Sequence, residues 1–344
     1  MMKGYDFTMG IVERYSTDHI AFPYLGIDFN ISPTAFTLFG LEIKWYGICI
    51  AIGLFLAMHY CFKRTKDFGL DGEALSDAVI AGIIGAVIGA RAYYVIFHAE
   101  DYHDIKEIFA IRDGGLAIYG GLIGALILGC IVCRIKKIHI LSAVDLASMG
   151  FFIGQACGRW GNFFNQECFG LNTTLPWGIS GGRIQNFIIN NRASFAAQGF
   201  EMDPYTAVHP CFLYESLLCI CGFILVHFFY KHRKFDGEMI CIYVTIYGFG
   251  RFIIEGLRTD SLYIGNIRVS QALSLLICIA GIVIIVLGHI RAKKKGVSLY
   301  ADSEAAKELL RKADERDKAY EESKKNKKAK ELAKDQKIID DEEE

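Results

Sequence analysis

The sequence predicts an all-α polytopic membrane protein with seven transmembrane helices, an N-terminus outside, a cytoplasmic C-terminus and an extracytoplasmic head segment. Three observations lead to this fold class. The 344-residue chain is 53% hydrophobic, which is too apolar for an average soluble protein. Its charges concentrate in residues 291–344, which hold 16 of the 37 basic and 15 of the 38 acidic residues. Before that segment lie seven apolar stretches of about 20 residues, the length that crosses a hydrocarbon core.

The seven predicted spans are separated by short loops, except for one longer segment between the fourth and the fifth. The fourth span contains Asp145 and Gln155, so its composition suits lipid least. The spans cover residues Trp45–Phe62, 74–97, 114–133, 141–158, 211–230, 238–256 and 269–290.

Basic residues set the predicted orientation. Thirteen lysines and arginines fall in the segments that follow the first, third, fifth and seventh spans. The positive-inside rule makes that face cytoplasmic and places the N-terminus outside. The sequence therefore predicts an extracytoplasmic N-terminal arm (1–43), a seven-helix catalytic domain (44–290) with an extracytoplasmic insertion at about 159–209, and a charged cytoplasmic tail (291–344). The tail is too polar to form a core, so we expect a solvated helix or a disordered segment.

Composition also excludes several classes of function. A net charge of −1 without a basic domain predicts no nucleic-acid partner. The eleven cysteines lie mostly in apolar runs and are odd in number, which argues against a disulfide framework. No spacing of ligand residues predicts a metal site, and no motif predicts a cofactor.

Small residues in the second and third spans predict close helix packing. Gly82, Ala86 and Ala90 recur at intervals of four, and Gly120 and Gly124 repeat the pattern in the third span. Such faces let helix backbones approach closely in lipid. The Gly120-Gly121 pair follows Tyr119 directly, and we expect it to open space beside that side chain.

Polar residues gather toward the outer ends of the predicted spans. Arg251, Glu255 and Arg258 stand at i, i+4 and i+7, so they should form one stripe of the sixth span. Arginine binds phosphate through paired bonds, so Arg159 and Arg251 are candidate phosphate ligands, with a structural ion pair as the alternative. For Arg258 and Arg91, neutralisation by nearby acids is an equally good interpretation.

Five sequence motifs in this chain resemble the motifs of one known protein family. The run GRWGNFFNQECFG at 158–170 resembles the signature of the prolipoprotein diacylglyceryl transferase family. Four further motifs agree in order: WYG from Trp45, Gly114-Gly115 through Tyr119-Gly120-Gly121, HPCFLYE from His209, and YGFGRFIIEGLRTD from Tyr247. The resemblance covers about residues 30–290.

The resemblance implies an enzyme that transfers the diacylglyceryl group of phosphatidylglycerol to the lipobox cysteine of a preprolipoprotein signal peptide and releases glycerol phosphate. It further implies a multi-pass protein of the bacterial plasma (inner) membrane, in contact with membrane lipid, with its active site on the extracytoplasmic side. The expected catalytic residues are Tyr119, Arg159, Arg251 and His209. The residues expected to bind substrate are Tyr46, Arg159, Asn162, Glu167, Gly170, Arg251, Glu255 and Arg258.

The sequence leaves open which group ionises the substrate thiol. Many family members carry a histidine before the Gly-Gly of the third span, whereas this chain has Tyr119. A free thiol is only partly ionised at pH 7, so a base or a positive field must ionise it. Tyr119, His209 and the arginine field alone are the three possibilities. Two other functions also stay open: another phospholipid-headgroup transferase, and a seven-span transporter, although a transporter would place its polar residues near the bilayer midplane.

Overall fold

The computed structural model describes residues 14–101, 104, 107, 109, 114–199, 201–259, 263–264, 267–296 and 298–343. The fold is mostly helical, and it also contains short strands that the all-α prediction missed. In chain order the elements are β1 (His19–Phe22), β2 (Ile27–Asn30), β3 (Thr34–Leu38), β4 (Leu41–Lys44), α1 (Trp45–Phe62), α2 (Gly72–Phe97), α3 (Ile118–Ile135), α4 (Ile140–Asn165), β5 (Ser180–Gly181), α5 (Gly182–Asn190), α6 (Arg192–Ala197), α7 (Cys211–Phe229), α8 (Glu238–Glu255), β6 (Tyr263–Ile264), β7 (Ile267–Arg268), α9 (Val269–Lys295) and α10 (Glu304–Glu343).

Six of the described helices are long and apolar enough to cross a membrane: α1, α2, α3, α4, α7 and α9. The sixth predicted span, α8, has 18 residues but carries Glu238, Arg251 and Glu255. α8 is therefore long enough to cross a membrane, but its composition is too polar for it to count as a clear candidate span. The chain is accordingly described as a polytopic membrane protein with six clear candidate spans.

The chain divides into two compact units. The first unit contains β1 through α1 and the segment from Asp145 through α9. The second contains Lys63–Val144 and the tail from Ser298.

In the first unit, the N-terminal segment and the insertion after α4 form one small sheet. Its strand order is β2-β1-β5, and Ile20 pairs with Gly181. A side chain at Gly182 would collide with the Ser16 carbonyl, so only glycine fits there. Ile20 is fully buried in a core that includes Phe163 from the end of α4. Strands β1 and β2 therefore pack with the insertion after α4, whereas β3 and β4 form a separate two-stranded sheet.

The fourth predicted span is longer than expected. It ends at Asn165 and not at residue 158, so most of the 158–170 motif belongs to the last two turns of α4. Asp145, the carboxylate that made this span doubtful, is fully buried and accepts hydrogen bonds from Gly237 N at 2.7 Å and Ile240 N at 3.0 Å. These amides belong to the start of α8, whose first turn has no partners of its own. Asp145 thus caps a neighbouring helix.

The second unit confirms the predicted packing of small residues. A Cβ at Gly85 would lie 2.4 Å from the Gly124 carbonyl oxygen, and one at Gly89 would lie 2.3 Å from that of Gly120. The α2 and α3 backbones therefore touch. The same contacts correct one expectation, because the space at Gly120 is filled by Gly89 and the Tyr93 side chain and is not open.

The tail is a helix that docks at its beginning. Tyr300 stacks on His139 with ring centroids 4.3 Å apart, and Ala306 is fully buried near Gly69. Arg316 forms a bidentate pair with Asp71, whose side chain also caps α2. The expectation of a solvated helix holds only beyond this docked part.

Candidate functional site

Three arginines converge on one buried carboxylate in the first unit. Glu215, in the second turn of α7, is 0% exposed. Its Oε2 atom lies 2.5 Å from Arg159 Nη2 of α4, and its Oε1 atom accepts a 2.8 Å hydrogen bond from Arg251 Nη1 of α8. Arg258 Nη1 approaches Oε1 to 3.6 Å. Glu215 therefore joins three segments that are distant in sequence.

The predicted helical stripe of the sixth span is only partly correct. Arg251 Nη2 and Glu255 Oε2 are 2.7 Å apart, as the i, i+4 spacing requires. The helix ends at Glu255, so Arg258 is not a third member of a helical row. It reaches Glu215 from a short extended segment, where it forms a β-bridge with Gly170.

Guanidinium groups outnumber carboxylates among the described side chains of this cluster. Arg159, Arg251 and Arg258 face Glu215, and Arg251 also pairs with Glu255. Both carboxylates are almost fully buried, whereas about a fifth of the Arg159 and Arg251 side chains is exposed. Partly accessible guanidinium groups form a site suited to an anion with several oxygens, such as a phosphate ester.

Sequence reasoning missed two members of this site. Glu215 lay within a recognised motif but received no role, although a carboxylate five residues into an apolar span needs a partner. Tyr247 accepts a hydrogen bond from Arg159 Nη2 at 3.3 Å and stacks on Tyr243. Its position one helical turn before Arg251 was the only signal available.

The residues after α4 form a tight loop beside the cluster. Asn162 Nδ2 donates to Glu167 Oε1 at 2.9 Å, and Asn165 Nδ2 donates to the same oxygen at 3.2 Å. Gln166 and Cys168 have left-handed backbone angles, φ 55° and 57°. Non-glycine residues rarely adopt this conformation, and it recurs at functional sites. The loop leaves the Glu167 side chain exposed to solvent.

Gly170 lies where three backbone segments meet. Its amide donates to the His209 carbonyl at 2.9 Å, and a Cβ there would lie 2.7 Å from the Leu257 carbonyl oxygen. Cys168 Sγ accepts from Arg258 Nη2 at 3.6 Å. The glycine therefore allows the loop to pack against the segment that carries Arg258.

Tyr46 packs flat against the last part of α4. A Cβ at Gly161 would lie 2.5 Å from the Tyr46 ring, so this glycine makes room for the tyrosine. The Tyr46 hydroxyl lies in the electrostatic field of Glu167, Arg159 and Cys168. Tyr46 therefore lies near Arg159 and Glu167, two residues that the sequence analysis assigned to the same site.

His209 is held by a neighbouring tyrosine. Its Nδ1 atom is 3.0 Å from the Tyr214 hydroxyl, which accepts a 2.9 Å hydrogen bond from Trp177 Nε1. Burial lowers the pKa of His209, which favours the neutral ring. In the tautomer with its proton on Nε2, Nδ1 accepts a hydrogen bond from the Tyr214 hydroxyl.

Tyr119 and Arg91 belong to the second unit, whereas the arginine cluster belongs to the first. The Tyr119 side chain is 73% exposed at the start of α3. Arg91 is buried and donates to the backbone carbonyls of Gly114, Gly115 and Glu107 at 2.8, 3.0 and 2.6 Å. Arg91 thus holds the segment that precedes α3 through its backbone carbonyls.

Comparisons with known proteins agree with the motifs. The family model "Prolipoprotein diacylglyceryl transferase" matches residues 33–287. Phosphatidylglycerol--prolipoprotein diacylglyceryl transferase 1 of Clostridium perfringens is 39% identical over 272 residues, which cover 78% of this chain and 99% of the relative. The Clostridioides difficile phosphatidylglycerol--prolipoprotein diacylglyceryl transferase is 41% identical over 263 residues (76% and 95%), and that of Thermotoga maritima is 37% identical over 262 residues (73% and 83%).

Proposed function

Because the chain belongs to the prolipoprotein diacylglyceryl transferase family, we propose that Arg159 and Arg251 hold the phosphate of phosphatidylglycerol during diacylglyceryl transfer. The observation that carries this proposal is the convergence of three arginines on the buried Glu215. Glu215 orients both guanidinium groups before substrate arrives. The partly exposed guanidinium groups then favour a phosphate that gains charge as it leaves.

The protein is a transferase that acts on phosphatidylglycerol and a prolipoprotein, in the first step of lipoprotein lipidation. A sulfur–carbon bond forms between the cysteine thiol and the glycerol carbon of the diacylglyceryl group, and the bond from that carbon to the phosphate oxygen breaks. The thiol proton is released, and glycerol phosphate departs with the electron pair. The enzyme must therefore ionise a thiol and stabilise a departing phosphate.

The other site residues receive proposed roles from their positions. Tyr46, Asn162 and Glu167 line the loop beside Arg159 and would contact the glycerol headgroup. Glu255 aligns Arg251, and Arg258 adds charge on the far side of Glu215. Gly170 would act through the backbone, because it holds this loop against the Arg258 segment.

Thiol ionisation has three candidate routes. Tyr119 could accept the proton directly, and its exposed side chain is accessible for that role. His209 could accept it, but the Nδ1 atom would first have to release Tyr214. The arginine cluster could also lower the pKa of the substrate thiol without a base. We favour Tyr119.

The proposed membrane topology adds a seventh span to the six candidate spans. We infer that α8 is a seventh span, because packing against α7 and α9 shields its charged residues. Together with the basic segments, this gives an outer N-terminus, a cytoplasmic tail and a site facing the extracytoplasmic side of a bacterial inner membrane. Membrane lipid would then reach the site laterally, and the lipobox cysteine of a signal peptide would enter beside it.

The phosphate assignment can be tested with purified protein, phosphatidylglycerol vesicles and a lipobox peptide. Arg251→Gln should lower thioether formation at least about 100-fold, and Arg251→Lys should recover part of it, because a point charge cannot reproduce paired bonds. Arg183→Gln is the matched control, since Arg183 forms an exposed pair with Asp18 in the same unit. Full transfer in Arg251→Gln would refute the assignment, and loss in the control would show a general loss of folding.

A further inference from the structure

The β3–β4 hairpin of the first unit has one apolar face. Cross-strand pairing joins Phe36 to Ile43 and Leu38 to Leu41. Since alternate residues of a strand point to the same side, these four side chains share a face. Phe36, Leu38 and Leu41 are each about half exposed.

The opposite face of the hairpin is polar and internally bonded. Thr34 Oγ1 donates to Glu42 Oε2 at 3.2 Å, and Lys44 Nζ donates to Thr34 Oγ1 at 2.8 Å. Lys44 also pairs with Glu42, and Thr37 stands opposite Glu42 in the ladder. The hairpin is therefore amphipathic, with its charges confined to one side.

The tip of the hairpin is unusual for a turn in water. Phe39 and Gly40 both have left-handed angles, φ 48° and 79°. Two-residue hairpin turns of this kind favour Asn-Gly, because asparagine tolerates positive φ and is well hydrated. Here the first position holds a phenylalanine that is 96% exposed. Within the described part of the chain this large aromatic ring has almost no cover, so it suits an apolar environment outside the protein.

The chain places this hairpin at a membrane boundary. β4 ends at Lys44 and α1 begins at Trp45, with no linker between them. The Trp45 amide donates to the Pro33 carbonyl at 2.9 Å, which fixes the base of the hairpin to the start of the helix. Because lipid surrounds an apolar span such as α1, the hairpin begins directly at the end of a lipid-covered surface.

We propose that the 34–44 hairpin binds the lipid leaflet at the start of α1, with its apolar face on the bilayer interface and Phe39 inserted among the acyl chains. The polar face, with Glu42 and Lys44, then faces water. Amphipathic elements bind membranes in this way, and aromatic side chains are favoured at the interface. The partner is the bilayer itself, and the proposal requires only that α1 spans it.

Depth-dependent quenching tests the proposal. Phe39→Trp and Thr37→Trp variants of the full chain are placed in nanodiscs of phosphatidylcholine and phosphatidylglycerol, and the emission of the three native tryptophans is subtracted. Lipids brominated on the acyl chains should quench the added tryptophan at position 39 at least twofold more than that at position 37. Iodide in the water should show the reverse order. Equal iodide quenching at both positions, or no bromolipid effect at position 39, would overturn the proposal.

A second variant separates turn preference from lipid contact. Asparagine adopts the left-handed angle at position 39 more readily than phenylalanine does. In Phe39→Asn, a hairpin that is stabilised only by its turn should therefore become more rigid. If lipid holds the tip, the amides of residues 36–43 should instead exchange hydrogen at least about threefold faster in nanodiscs. Slower or unchanged exchange contradicts the proposal. Diacylglyceryl transfer by each variant confirms that the protein has folded.

Discussion

Arg251 donates to Glu215 over 2.8 Å although the two residues are 36 positions apart and lie on different helices. The same carboxylate holds Arg159, so one buried side chain fixes the relative position of α4, α7 and α8. The geometry of the candidate phosphate site thus depends on a residue that need not touch the substrate.

Glu215→Gln should therefore impair both stability and transfer. Removing one charge of a buried ion pair leaves the partners uncompensated, which costs about 3 to 5 kcal/mol. We expect a clearly lower melting temperature in detergent and at least about a 100-fold loss of glycerol phosphate release. Asp18→Asn, in the half-exposed pair with Arg183, is the control and should cost less than about 1 kcal/mol. Equal melting temperatures for the two variants would show that the Glu215 cluster is not a structural centre.

Tyr119→Phe distinguishes the routes of thiol ionisation. If Tyr119 is the base, the variant should lose about 10²- to 10⁴-fold in rate, and Tyr119→His should recover part of it with a pH dependence near the imidazole pKa of about 6.5. If the arginine field suffices, Tyr119→Phe should keep most of its rate, and the rate should still rise as the substrate thiol ionises. Full activity from pH 6 to 9 would remove Tyr119 from the chemistry.

The docked part of the tail should stabilise the second unit without contributing to catalysis. Ala306→Glu would force a carboxylate into a fully buried position near Gly69, which we expect to undock the helix at a cost of about 2 kcal/mol or more. Hydrogen exchange in residues 299–316 should rise, while transfer stays within about twofold of the unmodified protein. Ala305→Glu, at an exposed neighbouring position, should change neither. A large loss of transfer in Ala306→Glu, with the site folded, would show that the tail acts on the active site.

Docking of the tail should weaken in acid. The hydrogen bonds from Arg316 are the main cause that lowers the pKa of the Asp71 carboxyl. A carboxyl whose pKa is lowered by folding stabilises the folded state above its unfolded pKa of about 3.9, and the stabilisation is lost as the pH falls through the lowered value. As the pH is lowered below about 4, the melting temperature should therefore decrease. The decrease should be less steep in Arg316→Gln. Parallel curves for the two proteins would contradict this linkage.

Local sequence patterns predicted the spans well, because a lipid-crossing helix is recognised by length and composition alone. α1 coincides with its predicted span, and α7 and α8 end one residue before theirs. The fourth span was predicted to end at residue 158, whereas Arg159 and Asn162 belong to the last two turns of α4.

Long-range relationships were less predictable. The sequence around Glu215 does not indicate that three arginines contact this residue. The spacing of Arg258 predicted a position on the same helix as Arg251, but that helix ends at Glu255. The tail looked solvated because its docking depends on a few contacts between residues far apart in the sequence, such as Tyr300 with His139 and Ala306 with Gly69. The space predicted at Gly120 is filled for a similar reason, because Gly120 packs against Gly89 and Tyr93 of α2.

The carboxylate of Asp145 has a consequence for how the protein is made. It satisfies the amides of Gly237 and Ile240, which the ribosome adds more than 90 residues later. α4 is therefore already synthesised when α8, which carries Glu238, Arg251 and Glu255, leaves the ribosome. We expect α8 to enter the bilayer as a companion of α4 and not as an independent segment, so that Asp145→Ala should slow its insertion during translation.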